Sequence, residues 1–312
     1  MILEIRKINK SFGAFHVLHD VSFAVQSNST LGFLGRNGSG KTTTIRIIME
    51  IIAADSGEIL MDGVKLNRTG LKLGYLPEER GLYQKVAVLE QMIYFGKLKG
   101  LTRAGAKKAA LRLLEQLEAT EYLHREPITL SKGNQQKIQL AIALLHDPDL
   151  LILDEPFSGL DPVNAKVLRD VIEENARQAK TILFSSHQLG NVEEFCEDVC
   201  LIDRGRVALF GNLREIKDDY PKEKLLLVPE QEGNAKLKTM LDTDSRVKGL
   251  LSGYAPEKNG FLLYLRNPAA KDTLLQILTA AASGVPLRSF AVVEPSLLDI
   301  FLEKVGAAHE KD

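Results

Sequence analysis

Residues 35–42 read GRNGSGKT, which fits the phosphate-cradling pattern G-x-x-x-x-G-K-[ST]. Gly35, Gly38 and Gly40 let the backbone turn tightly with its amides pointing inward. Such amides form an anion nest at a helix start, where the helix dipole also favours negative charge. Lys41 is placed to reach the β- and γ-phosphates of a nucleotide, and the Thr42 hydroxyl to hold Mg²⁺. A second cluster lies in LLILDEP (150–156), an apolar strand that ends in two carboxylates. At the carboxyl edge of a parallel sheet, Asp154 would help hold Mg²⁺ and Glu155 would polarise an attacking water.

These residues need a scaffold, and the pattern around them supplies one. TLGFLG (30–35) reads as a short buried strand and TTIRIIMEII (43–52) as a helix with a wide apolar face. ILEIRKI and HVLHDVSFAV read as strands, and GEILMDGVKL as two strands around an Asp62-Gly63 turn. From about 86 to 124 the apolar spacing is helical, and another helix starts near Ser131 and ends before Pro148. TILFSSH (181–187) and VCLIDRGRVALFG (199–211) supply further strands. Strands alternating with helices imply a largely parallel sheet covered on both faces.

Composition sets bounds on this reading. At 312 residues the chain is long enough for two domains. A net charge of −1 gives no nucleic-acid footprint, so a nucleic-acid partner is not expected. No uncharged apolar run approaches the ~20 residues needed to span a bilayer. The N-terminus lacks the apolar core of a signal peptide. Cys196 and Cys200 have no second pair for a zinc site and read as buried thiols, which favours a cytoplasmic location.

The order GRNGSGKT, LSKGNQQK (130–137), LLILDEP, SGLD (158–161) and His187 closely resembles the ATP-binding-cassette (ABC) ATPases over residues 1 to about 215. The resemblance implies an α/β fold. A P-loop NTPase core would carry an antiparallel β subdomain and an α-helical subdomain. It implies ATP and Mg²⁺ as cofactors, and roles residue by residue. Gly35, Arg36, Asn37, Gly38, Ser39, Gly40, Lys41, Thr42 and Thr43 match the nucleotide-binding loop. Phe12 in KSFG matches the aromatic that stacks on adenine, with Phe15 as its rival. Ser131, Lys132, Gly133 and Asn134 match the signature that meets the γ-phosphate of ATP on the other subunit. Asp154 and Glu155 match the magnesium-site and catalytic carboxylates, and His187 the switch histidine. Ser158, Gly159, Leu160 and Asp161 match the loop that communicates across the dimer.

Two departures from the family pattern stand out. The usual LSGGQ reads LSKGN, so Lys132 and Asn134 replace a Gly and a Gln. The loop that usually carries Gln reads YLPEERGLY, with Glu78 or Glu79 in its place. A carboxylate coordinates Mg²⁺ more strongly than an amide, so Glu78 is the predicted third magnesium ligand beside Thr42 and Asp154. The segment from Glu79 to Met92 matches the region that receives a membrane subunit. Leu82, Tyr83, Val86, Val88 and Met92 are its apolar candidates, or else core residues.

After Gly211, DDYPKE (218–223) reads as a linker. Beyond it the predicted order is β-α-β-β-α-β, the ferredoxin-like order of a small α+β domain. Its strands are KLLLV, RVKGLLSGY, GFLLYLR and RSFAVV, its helices are NAKLKTML and AKDTLLQILTAAA, and SLLDIFLEKV forms a last helix. The expected domains are 1–217, the ATPase, and 222–306, an accessory or regulatory domain. EPSLLDIFLEKVG (294–306) resembles the end of exporter-type cassettes with such a domain, including sodium-extrusion and drug-efflux types. The resemblance implies a homodimer, or a pair with a second ABC subunit. It also implies an integral membrane permease that holds the chain at the inner face of the membrane. The competing class is an ABC-type ATPase acting on ribosomes or DNA; its relatives usually carry two cassettes or a coiled-coil insertion, and neither occurs here.

Overall fold

The computed structural model describes residues 2–66, 71–79, 81–178, 180–230, 233–280 and 285–309. The chain divides into two units, the first Met1–Leu213 together with Lys304–Asp312 and the second Arg214–Glu303.

In the first unit, β1 (Leu3–Phe12) and β2 (Phe15–Val25) form an antiparallel hairpin. β3 (Thr30–Leu34) then enters a second sheet, and α1 (Lys41–Ile48) follows the glycine-rich loop. α1 is shorter than its apolar pattern predicts. The chain leaves the helix through Met49 and Glu50, the latter at φ 50, before the 52nd residue. β4 (Ser56–Met61) and β5 (Val64–Lys65) return to the hairpin, giving an antiparallel sheet ordered β2-β1-β4-β5. β6 (Leu73–Leu76) is the edge of the second sheet.

A helical region follows, with α2 (Val88–Leu98), α3 (Arg103–Gln116) and two short 3₁₀ turns, Thr120–Tyr122 and Pro127–Thr129. α4 (Lys132–Leu144) leads back to the sheet, and Ser131 caps it by accepting from the Asn134 amide at 3.3 Å. Then come β7 (Leu150–Asp154), α5 (Pro162–Arg177), β8 (Thr181–Ser186) and α6 (Leu189–Phe195). β9 (Asp198–Asp203) and β10 (Arg206–Asn212) close the sheet in the order β10-β9-β3-β8-β7-β6. Its strands are parallel except β10. β3, β7 and β8 are buried along their whole length, which is why they read as continuous apolar runs.

α7 (Leu213–Asp219) covers the start of the predicted linker, so the irregular stretch there is shorter than its polar composition suggests. The second unit holds β11 (Lys224–Pro229), α8 (Asn234–Thr243), α9 (Ser245–Leu250), β12 (Leu251–Glu257), β13 (Gly260–Leu265), α10 (Ala270–Thr279) and β14 (Leu287–Val293). The sheet order β12-β13-β11-β14 is antiparallel throughout, the ferredoxin-like topology. α11 (Leu297–His309) ends the chain. RVKGL, expected as the start of a strand, is helical. Asp244 caps it by accepting from the Arg246 amide at 2.9 Å, and the strand begins only at Leu251. Ala281 and Ala282, expected to extend α10, lie outside the described residues.

Candidate functional site

The glycine-rich loop is held in shape by contacts that exclude a side chain. Gly40 precedes α1 at φ 110, and a Cβ there would stand 2.5 Å from Leu18 Cδ2. No side chain caps α1, so its first amides remain available to an anion. The turn between β9 and β10 braces the loop, with the Gly205 amide donating to the Ser39 carbonyl at 2.9 Å.

A cavity of about 380 Å³ opens over the loop. It is lined by Arg36, Asn37, Gly38, Gly40, Lys41, Thr42 and Thr43, and also by Val17, Glu78, Asp154 and Glu155. Four separated stretches of sequence thus converge. Gly35 and Ser39 are the exceptions within the loop; they pack on each other beneath it, where a Cβ on Gly35 would collide with the buried Ser39 hydroxyl. Lys41 is buried, and its Nζ donates to the carbonyls of Gly35 at 2.7 Å and Arg36 at 3.3 Å. Burial lowers its pKa, opposed by the carboxylates of Glu155, Asp154 and Glu78.

The two carboxylates at the end of β7 are almost fully buried. Burial raises the pKa of Asp154, and the Ser185 hydroxyl pulls against this by donating to Asp154 Oδ1 at 2.6 Å. Burial likewise raises Glu155, and His187 opposes it, with Nδ1 2.8 Å from Glu155 Oε1. Glu155 sits at φ 51, a left-handed backbone that a non-glycine residue adopts only where the surroundings enforce it. Its amide donates to the Ser185 carbonyl at 3.1 Å, which ties its backbone to the strand that leads to His187. A second cavity is bordered by Glu78, Glu79, Gln136, Glu155 and Ser158.

Thr42, Glu78 and Asp154 border the same cavity. Among the described residues no group of three or more His, Cys, Asp or Glu side chains could hold a metal alone. Two carboxylates and a hydroxyl beside a phosphate loop suit Mg²⁺, which keeps waters and bridges substrate phosphates instead of occupying an all-protein cage.

The remaining candidates lie away from this cavity. Phe12 and Phe15 pair directly across the hairpin and are 51% and 79% exposed, so both rings are open to solvent. Lys10 Nζ lies 5.5 Å from the Phe12 ring centroid. Ser131 and Lys132 are exposed at the start of α4, and Gly133 is buried against Asn164, where a Cβ would stand 2.7 Å from Nδ2. Asn164 in turn donates to Asp161 Oδ2 at 2.5 Å, while Asp161 caps α5 by accepting from the amides of Val163 and Asn164. The signature glycine and the Ser158–Asp161 loop are therefore linked through Asn164, a residue that motif spacing alone did not reveal. Asn134 is already engaged, donating to the Tyr122 hydroxyl at 2.9 Å. Val17, Ser185 and Asn164 were missed because each acts through a fold-made contact; only the serines directly before His187 left a trace in sequence.

The apolar candidates between 82 and 92 separate into two groups. Leu82, Val88 and Met92 are buried and belong to the core. Tyr83 and Val86 stay exposed, at 49% and 36%, and Tyr83 stacks on Phe95 with Tyr94 at its edge.

Residues 18–158 match the family described as ABC transporter, and residues 211–305 match the family described as ATP-binding protein DrrA1-3-like, C-terminal domain. An uncharacterised ABC transporter ATP-binding protein of Bacillus subtilis (strain 168), YhaQ, is 37% identical over 310 residues, covering 99% of this chain and 100% of the relative. The linearmycin resistance ATP-binding protein LnrL of the same organism is 32% identical, covering 69% of this chain and 70% of LnrL. A solved ATP-binding subunit of an ABC transporter superposes with a TM-score of 0.64 at 31% identity, covering 70% of this chain and 92% of that one. A dimeric bacterial ABC transporter cassette shares the fold, with a TM-score of 0.62 at 23% identity over 68% of this chain and 99% of that one.

Proposed function

This chain belongs to the ABC transporter ATP-binding family and is an ATP-hydrolysing subunit of that kind, and on that premise we propose how its residues divide the work. The amides of the glycine-rich loop and Lys41 hold the nucleotide phosphates. Phe12 or Phe15 supplies a face for adenine. Thr42, Asp154 and Glu78 hold Mg²⁺, which when bound offsets charge on the phosphoryl oxygens. Glu155 orients and polarises the attacking water, and His187 holds its carboxylate in place and keeps it ionised. Residues 1–217 act as the catalytic domain and 222–306 as an accessory domain.

The carrying observation is the convergence of Lys41, Asp154, Glu78 and Glu155 on one cavity, with Glu155 tied to His187 at 2.8 Å. Ser131, Lys132 and Gly133 lie outside that cavity. They are free to close over the phosphates held by a second subunit, with Asn134 and the Ser158–Asp161 loop behind them. Two chains, or this chain and a second ABC subunit, then pair head to tail around ATP. The exposed Tyr83, Val86 and Tyr94 receive the membrane permease, so that ATP-driven closure moves cargo outward and the chain works at the inner face of the membrane.

Glu155→Gln tests this directly. The variant should retain ATP, hydrolyse it about 10²–10⁴-fold more slowly, and run as a dimer on size exclusion with MgATP. A variant that stays monomeric with saturating ATP overturns the sandwich.

A further inference from the structure

The region around α3 carries a charge pattern that neither the ATP site nor local helix stability explains. Between residues 97 and 112 there are six Lys or Arg, and from 91 to 114 there is no Asp or Glu, although the whole chain carries 40 basic and 41 acidic residues. Ala106, Ala110, Leu113 and Leu114 turn inward, and α3 packs on α2 and α4. Arg103, Lys107, Lys108, Leu111 and Arg112 are exposed; helical spacing puts Lys108 and Arg112 opposite those inward positions and Lys107 and Leu111 on the flank, while Arg103 is exposed in the first turn. Arg103/Lys107 and Lys108/Arg112 are like-charge pairs at i,i+4, which oppose the helix. The first turn of α3 holds Arg103 and no acidic residue, against the helix dipole. The outward charges therefore work against their own helix, as expected where an external partner offsets them.

Apolar side chains lie within the same basic stretch. Leu98 is 64% exposed between Lys97 and Lys99 at the end of α2, and Leu111 is 37% exposed among the cations of α3. A nucleic-acid backbone takes up cations but has no favourable place for exposed leucines. An anionic bilayer surface takes both, phosphates against the ammonium and guanidinium groups and shallow acyl boundary against the leucines.

We propose that the α2–α3 turn and the outward face of α3 form a docking surface for anionic phospholipid headgroups. This rests on the reading of the chain as a subunit held at a membrane by a permease. It adds a direct contact with the lipid that needs no permease.

The test uses the purified full chain and vesicle flotation, with phosphatidylcholine alone or mixed with phosphatidylglycerol. Expected is retention on the mixed vesicles, little on the neutral ones, and release at high salt. Neutralising Arg103, Lys107 and Lys108 together to Gln, which keeps helix propensity, should weaken retention about a hundredfold, near fivefold per charge. Leu98→Ser should weaken it severalfold. ATP hydrolysis, measured on the same samples, should be unchanged in every variant, so a defect in the catalytic reading shows up separately. Equal retention on both vesicle types, no retention on mixed vesicles at low salt, or full retention by the triple variant overturns the proposal. Preference for a duplex DNA or RNA fragment over mixed vesicles at equal phosphate also overturns it.

Discussion

The two units of this molecule bury very different things. In Met1–Leu213, the buried set includes Lys41, Lys137, His146, Asp154 and Glu155. In Arg214–Glu303, the buried side chains among the described residues are apolar, a cluster of Leu225, Leu227, Leu237, Leu263, Leu274 and their neighbours. Burying a charge is costly unless it is paired, so a fold retains buried charges where they have a task. The first unit holds its charges strained, with burial raising Asp154 and Glu155 and lowering Lys41. The second has no such reservoir, and its core serves shape and stability.

That contrast can be broken in four ways. Glu155→Gln should cost about three orders of magnitude in hydrolysis, roughly 4 kcal/mol of barrier, with thermal stability retained; stopped assays beside calorimetry read both. Leu263→Ala, fully buried in the sheet of the second unit, should cost about 3 kcal/mol of stability and leave basal ATPase nearly intact. If that substitution removes hydrolysis, the units are not separable in function. His187→Ala should lower the rate about a hundredfold and shift its pH profile. Burial raises the Glu155 carboxyl and the His187 bond lowers it, so the ionised, active form is lost on acidification. Without the imidazole that acid limb should move to higher pH, and an unmoved limb would remove His187 from the site. The smallest effect is expected for Glu78→Gln, a few-fold rise in the Mg²⁺ concentration that gives half-maximal rate; an unchanged Mg²⁺ requirement assigns Glu78 no ligand role.

Much of the site could be read before folding was considered. Gly40, Lys41, Asp154 and Glu155 announce themselves because phosphate chemistry demands those types at short, local spacings. The ferredoxin-like order was legible too, since alternating strands and helices carry their own periods. RVKGL was misjudged because its β-branched and apolar residues suit either state, and the Asp244 cap settled it as helix. Leu82, Val88 and Met92 were ambiguous for another reason. An apolar side chain looks the same in sequence whether it faces a neighbouring helix or a partner, and here all three face inward.

The sequence by itself determined the types of group available for chemistry: a glycine-rich loop with its lysine, a strand-end pair of carboxylates, a histidine after the next strand, and an antiparallel tail. These follow from residue type and near-neighbour spacing. Only the tertiary structure decided which groups meet. It bent Glu155 to φ 51 against His187, set Ser185 on Asp154, brought Glu78 to the cavity over the glycine-rich loop and seated Asn164 against Gly133. It also buried one face of α3 and left Arg103, Lys107, Lys108 and Arg112 exposed. Such meetings join residues far apart in the chain, and they are set by the register of strands and the packing of helices, which no local spacing encodes.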